Sequence, residues 1–233
     1  MLRFEAFERL GIRVAAMSEQ CDGDCGWQAA TPDARRYFLE RCGTRWKDLV
    51  CPRQMHGTEV AVVRESDRGK GARGGDTAIA VADGLITEVP GLPLGITVAD
   101  CVPVFACDPV RRAGGLMHAG RAGTLHRAAE ALVQALCAQF HVSPGSLHAL
   151  IGPSAGPCCY EVSAEMAQAY ADADLPVRGR HLDLWAANRL QLEQAGLPPA
   201  HVHVAALCTI CGNRFHSYRA GAASQRNLAV FVL

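Results

Sequence analysis

The chain has 233 residues, with 23 Lys plus Arg against 23 Asp plus Glu, so its formal charge is zero. That balance gives no electrostatic footprint for nucleic acid or an anionic membrane surface, and a hydrophobic content of 49% excludes an intrinsically disordered chain. No stretch reaches the roughly 20 consecutive apolar residues of a membrane span: the longest segment free of Asp, Glu, Lys and Arg, Ala131–Tyr160, is interrupted by Gln, His, Pro and Gly. At this size one domain over residues 1–233, burying roughly 70% of its unfolded surface, needs no disulfide or metal staple. The N-terminal MLRFEAFERLGIR alternates charged and apolar residues, which is not a signal peptide, so a cytoplasmic enzyme is expected. Eleven cysteines, an odd number spread along the chain, read as reduced thiols.

In chain order, Pro32 and Asp33 open a predicted helix through Leu39, and Glu59–Val63 reads as a strand. Arg64–Asp76, with four glycines and seven charges, reads as a mobile, solvated hairpin tip or a lid. Leu92–Ala99, Val102–Cys107 and Ala113–His118 follow as strands. After Gly123 a helix is predicted, capped by Thr124, with Leu125, Ala128, Ala129, Leu132, Val133 and Leu136 on one apolar stripe. Leu147–Ile151 is a strand, Ser163 starts a short helix, Asp183–Gly196 forms another, and Val202–Leu207 and Asn227–Leu233 close the chain as strands. The alternation predicts an α/β or α+β fold with a mixed sheet.

Three segments place a metal-capable side chain at the end of an apolar run, beside small residues or proline. They contain His56 in RQMHG, Cys101 in VADCVP and His118 in LMHAG. Two imidazoles and a thiolate suit zinc, and three protein ligands leave a fourth tetrahedral position open, as catalytic sites require. Gly57, Ala119 and Gly120 leave room close to the backbone. Taken singly, each histidine reads as an ordinary polar residue. The other cysteines offer rivals: Cys208-Thr-Ile-Cys211 has zinc-knuckle spacing, but a structural zinc typically uses two such pairs, so a four-cysteine site is disfavoured. Vicinal Cys158-Cys159, inside a Gly- and Pro-rich segment, reads as a tight loop. Without a P-loop or dinucleotide-binding glycine pattern, anion binding falls to Arg36, Arg53, Arg121, Arg219 and Arg226.

Taken together, RQMHGTEV, VADGLIT, TVADCVPVFACDP, GLMHAGRAGTL, IGPSAGPCCYEV, LDLWAANRLQLEQAGL and FHSYRAG stand in the order found in the laccase-domain family. The chain resembles that family strongly from about Gln54 onward and weakly before it. Members are variously described as multicopper polyphenol oxidases, purine nucleoside phosphorylases or peptidoglycan editing factors. The resemblance implies a four-layer α/β/β/α fold with mixed sheets, similar to cytotoxic necrotizing factor-type cysteine hydrolases. It also implies zinc on His56, Cys101 and His118, with copper as the alternative metal. Phosphorolysis of purine nucleosides, including methylthioadenosine, and adenosine deamination are the implied activities, with nucleosides and phosphate as partners and a monomer or homodimer as the working form.

Several positions depart from the family pattern. HAGWRG is His118-Ala-Gly-Arg121-Ala122-Gly here, Ala220 stands where a second arginine usually follows Arg219, and the early SLNLG motif has no match. Arg36 retains the arginine of the family's Asn-Arg pair, but Arg35 replaces the Asn. Arg36, Arg121 and Arg219 are the expected phosphate ligands, and Asp100 is expected to orient a ligand histidine, act as a base or, equally, cap a turn. Three further readings are a metal-free hydrolase with Cys101 as nucleophile and His118 as base, copper-dependent oxidation of phenols, and a binding module whose site has decayed at the altered HAGRAG segment, which retention of all three ligands argues against. Nine histidines with a single His-x-His cannot build a coupled multicopper centre.

Overall fold

The computed structural model describes residues 1–29 and 33–233. In chain order the elements are β1 (Leu2–Arg3), α1 (Glu5–Glu8), β2 (Val14–Met17), α2 (Asp33–Arg41), β3 (Val60–Val62), β4 (Gly84–Thr87), β5 (Leu94–Val98), β6 (Val102–Asp108), β7 (Ala113–Ala119), α3 (Arg121–Leu125), α4 (Ala128–Phe140), β8 (His148–Ile151), α5 (Ala164–Asp172), β9 (Val177–Arg178), β10 (His181–Leu182), α6 (Leu184–Gln194), β11 (Val202–Val204) and β12 (Asn227–Val232). The described part of the first predicted helix is α2; its proposed first residue, Pro32, lies outside the described residues.

A six-stranded sheet runs β11-β8-β6-β7-β4-β3 and mixes parallel with antiparallel pairs. A four-stranded sheet runs β1-β2-β12-β5, antiparallel throughout. Period-2 alternation explains how the two sheets stack. Along β6, Phe105 and Cys107 face the four-stranded sheet, where Ile96 of β5, Phe231 of β12 and Met17 of β2 join them in one core. Val102, Val104 and Ala106 point the other way, onto Leu132 and Leu136 of α4 and Leu184 and Leu192 of α6. Likewise Leu228, Val230 and Val232 of β12 face outward, covered by Phe38 and Leu39 of α2. Three apolar layers therefore separate helix, sheet, sheet and helices.

Asp183 and Ser163 cap α6 and α5, accepting from Ala186 N at 2.9 Å and Met166 N at 3.3 Å. The predicted helix after Gly123 is instead two. It begins at Arg121, and Arg127 adopts a left-handed φ of 64°, which breaks the hydrogen-bond ladder between α3 and α4. Thr124 is not a cap: it is fully buried, and its Oγ1 and carbonyl accept from Asn188 Nδ2 at 3.1 Å and Gln191 Nε2 at 2.6 Å, joining α3 to α6.

The segment Arg64–Asp76 is not a hairpin tip, because β3 and β4, the strands it connects, run parallel. Backbone bonds also pin it: Lys70 O accepts from Cys51 N, Gly71 O from Trp27 Nε1 and Ala72 O from Arg35 Nη1. Among the described residues, no helix is long and apolar enough to cross a membrane.

Candidate active site

The sheet register brings three distant segments to one end of the six-stranded sheet. Val102 pairs with Ala119 and Pro103 with His118, so Cys101, just before β6, comes beside the end of β7. Gly84 pairs with both Met117 and Val60, so Asp83 lies between His118 and the loop that leads into β3. That loop carries His56. Gln54 fixes its start to β5 as an extra strand would: Thr97 N donates to Gln54 Oε1 and Gln54 Nε2 donates to Thr97 O, both at 2.9 Å.

His56, Cys101 and His118 converge, their ligand-capable atoms all within 4.8 Å of one another. The two imidazoles meet edge to face, with ring centroids 4.8 Å apart. Gly120 follows directly; a Cβ there would come within 3.0 Å of Cys101 Sγ and 3.1 Å of His56 Cδ2. Glycine at this position makes room for the donors themselves, not for a substrate.

Asp83 organises the group, although the sequence reading gave it no role. One of its oxygens lies 2.8 Å from His118 Nδ1 and accepts from His56 N at 2.9 Å; the other accepts from Met55 N at 3.0 Å and Gly57 N at 2.7 Å. With Nδ1–H turned to Asp83, Nε2 of His118 is left for the site: as an imidazolium it is a donor to the Cys101 thiolate, and once deprotonated its lone pair is free for a metal. Burial opposes ionisation of Asp83, but His118 and the backbone N–H groups prevail and hold it at about 2. For Cys101, burial pushes the thiol up, yet the adjoining His118 and His56 bring it down to about 6. Burial disfavours the His118 cation, and the Cys101 thiolate and Asp83 outweigh it, raising His118 to about 9. A thiolate, an imidazolium and a carboxylate therefore form one connected chain.

Of the parts expected for Asp100, the structure gives it the turn, at the edge of the same cavity. Its φ is 81°, it is 5% exposed, and its carboxylate accepts from Thr209 Oγ1 at 2.6 Å and Arg219 N at 2.8 Å. It orients no ligand histidine, since Asp83 does that. Its part is to hold the tight turn that aims Cys101, and to tie that turn to the segments around residues 209 and 219.

These residues open into a cavity of about 610 Å³, within the usual range for small-molecule sites. Arg121 and Arg219 line it, as do Arg53 and Arg226, and Trp27, Tyr160 and Tyr218 supply aromatic surface. Arg219 lies over the Tyr160 ring at 4.9 Å. Among the described residues none of these four arginines pairs with a carboxylate, so a chain of zero net charge concentrates positive potential here. Arg36 is not part of the lining; it bonds Asp33 at 3.0 Å and covers Tyr37 on the surface of α2. Its neighbour Arg35 points inward instead, donating from Nε and Nη2 to Cys25 O.

The multi-copper polyphenol oxidoreductase laccase profile matches residues 26–233. The chain belongs to this family. A purine nucleoside phosphorylase, YlmD, of Geobacillus stearothermophilus is 37% identical over 199 residues, spanning 81% of this chain and 72% of the relative. An adenosine deaminase, RL5, from an unknown prokaryotic organism is 35% identical over 189 residues, 77% of this chain and 72% of that one. Among solved structures, a Bacillus licheniformis hypothetical protein, YfiH, superposes with a TM-score of 0.86 at 29% identity, covering 94% of this chain and 92% of the other. YlmD of G. stearothermophilus gives 0.85 at 31%, covering 94% and 91%. As a laccase-domain protein, the chain keeps the mixed α/β architecture of these neighbours.

Proposed function

We propose that this laccase-domain protein is a purine-nucleoside-processing enzyme that cleaves nucleosides with phosphate, methylthioadenosine included, and deaminates adenosine at the same site. The observation that carries this reading is one cavity holding a His-Cys-His donor set, four guanidinium groups without carboxylate partners among the described residues, and aromatic surface. The names of the phosphorylase and deaminase relatives support both activities. His56, Cys101 and His118 fit zinc: two nitrogens and one thiolate converge, and Asp83 supplies the hydrogen bond that ligating histidines normally require. Zinc held there would act as a Lewis acid facing the cavity.

The chain's own groups account for the rest. Arg121 and Arg219 would hold phosphate, with Arg53 and Arg226 adding to the field, so that a phosphate oxygen lies against C1′ of the ribose. The C1′–oxygen bond forms as the C1′–nitrogen bond breaks; the bonding pair leaves on the purine, which takes up a proton given by the phosphate or by water, and the guanidinium groups keep the nucleophile in place through the cationic, oxocarbenium-like transition state. Trp27, Tyr160 and Tyr218 offer π surface on which a purine can stack. Copper outcompetes zinc in raw affinity, but one donor group of this kind does not build the coupled centres of a multicopper oxidase.

A second reading rests on the Cys101–His118–Asp83 chain, which has the order of a nucleophile, its base and an orienting carboxylate. It corresponds to a thiol hydrolase or amidase of the cytotoxic necrotizing factor type, such as one editing peptidoglycan precursors. A thiolate bound to metal is not a free nucleophile, so the metal content of the active protein separates the two readings.

The test is product analysis with adenosine, with and without phosphate. Adenine and ribose 1-phosphate should form only with phosphate, and inosine in either case. Arg121→Ala should lower phosphorolysis by about tenfold or more, the loss of a charge-assisted hydrogen bond of roughly 1.5–3 kcal/mol, and leave deamination nearly unchanged. Equal loss of both activities, or of neither, would remove Arg121 from phosphate binding.

A further inference from the structure

A second group of thiols lies outside the cavity. The sequence reading disfavoured a four-cysteine site because only one Cys-x-x-Cys exists. The fold nevertheless brings Cys158, Cys159, Cys208 and Cys211 together, their sulfurs all within 4.8 Å of one another. We propose that these four cysteines form a tetrathiolate zinc site that staples the β8–α5 loop to the segment after β11, and so fixes one wall of the cavity.

Three features of the backbone carry the assignment. Cys158 Sγ and Cys211 Sγ are 3.8 Å apart, and a tetrahedron with zinc–sulfur distances of ~2.3 Å has edges of ~3.8 Å. Next, Cys208 Sγ accepts a hydrogen bond from Gly156 N at 3.3 Å, and the backbone N–H groups of Ile210 and Cys211 lie near enough to favour its thiolate. Donors from the second and third residues after the first cysteine are what a Cys-x-x-Cys loop folded around a metal thiolate provides. Finally, Cys158 and Cys159 lie in a turn, where Cys159 N and Tyr160 N both donate to Gly156 O at 3.0 Å. In such a turn consecutive side chains diverge by about 100°, not by the 180° of a strand, so neighbours can reach one ion. Knuckle spacing in one pair is thus replaced by a turn in the other, which spacing alone does not reveal.

Glycine permits the approach of the two segments. A Cβ on Gly156 would lie 2.7 Å from the Trp185 ring and 3.2 Å from Cys208 Cβ. The segments also meet through Ser154 N to Leu207 O at 3.2 Å and Thr209 N to Ser154 O at 3.0 Å. One segment leads on to Tyr160; the other carries Thr209 inside the Cys208–Cys211 loop and leads on to Arg219, and these residues bear on the cavity and on Asp100. Four thiolates within this span suit a single tetrahedral ion, and zinc is the one for which such closed tetrathiolate sites are structural. Binding releases the thiol protons to solvent.

The test uses the whole chain, purified fresh under reducing conditions and loaded with zinc. Wild type should hold two zinc ions per chain, and Cys101→Ala, which lacks a ligand of the cavity group, should keep one. Iodoacetamide labelling read by peptide mass should spare Cys158, Cys159, Cys208 and Cys211 in the loaded protein and modify them after chelation. Cys21, which is exposed, should be modified in both. A Cys208→Ser/Cys211→Ser variant should lose one zinc; if it fails to fold, labelling of wild type decides alone. Equal labelling of the four before and after chelation, their recovery as disulfides or with iron, or a Cys101→Ala protein with no zinc would overturn the proposal.

Discussion

At the scale of single residues, Asp83 determines more of the site than any candidate picked from the sequence. Each of its oxygens accepts two hydrogen bonds. Asp83→Asn keeps the shape, but either orientation of the amide sets an NH2 group against donors. We expect about 1–3 kcal/mol of lost stability, measured by urea denaturation, and a 10–100-fold weaker zinc affinity, measured by chelator competition. Two outcomes together, unchanged stability and unchanged affinity, would show that Asp83 organises nothing. The sequence displayed Asp83 within VADGLIT but gave no sign that strand pairing would set it between both histidines. The three donors were legible through the family motifs RQMHGTEV, TVADCVPVFACDP and GLMHAGRAGTL, since each histidine taken singly reads as an ordinary polar residue. Arg36 misled because chain position does not reveal which way a helix turns.

The metal-free site also has a pH signature. Cys101 is depressed from 9.0 to about 6, so its contribution to stability is present above 9.0 and lost as pH falls through about 6. His118 is raised from 6.5 to about 9, so its contribution is present below 6.5 and lost as pH rises through about 9. The thiolate–imidazolium pair therefore occupies the window from about pH 6 to about pH 9. Thiolate absorbance of metal-free protein should show a titration near pH 6 that Cys101→Ala lacks. A first thiol titration no lower than pH 8 would contradict the pairing.

At the scale of elements, the strands that build the site were legible as apolar runs, and β5, β6, β7, β8 and β12 fall within their predicted bounds to a residue or two. Two partners were not. Val14–Met17 contains two alanines and Gly84–Thr87 starts on glycine, which weakens the strand signal of Val14, Ile86 and Thr87, and pairing with β12 and β7 makes both segments strands. The helix after β7 was legible as an apolar stripe, but its break at Arg127 was not, because a left-handed residue leaves no mark on periodicity. Phe105 is one of the buried residues in the core between the sheets and packs edge-on against Phe4 at 5.4 Å and Phe7 at 6.3 Å, at and within α1. Phe105→Ala should cost about 3–5 kcal/mol in chemical denaturation. A loss under 1 kcal/mol would mean that the sheets are not held by this core.

At the scale of the molecule, two packed sheets place the end of β7, the β5–β6 turn and the loop before β3 around one cavity, whose charge the overall balance of 23 against 23 conceals. That arrangement makes the central claim testable in one measurement: inosine cleavage by zinc-loaded wild type and by Cys101→Ala, with and without phosphate. Hypoxanthine and ribose 1-phosphate should appear in equal amounts, only with phosphate and only from the wild-type protein. Hypoxanthine released equally without phosphate, or equally by Cys101→Ala, would contradict the claim.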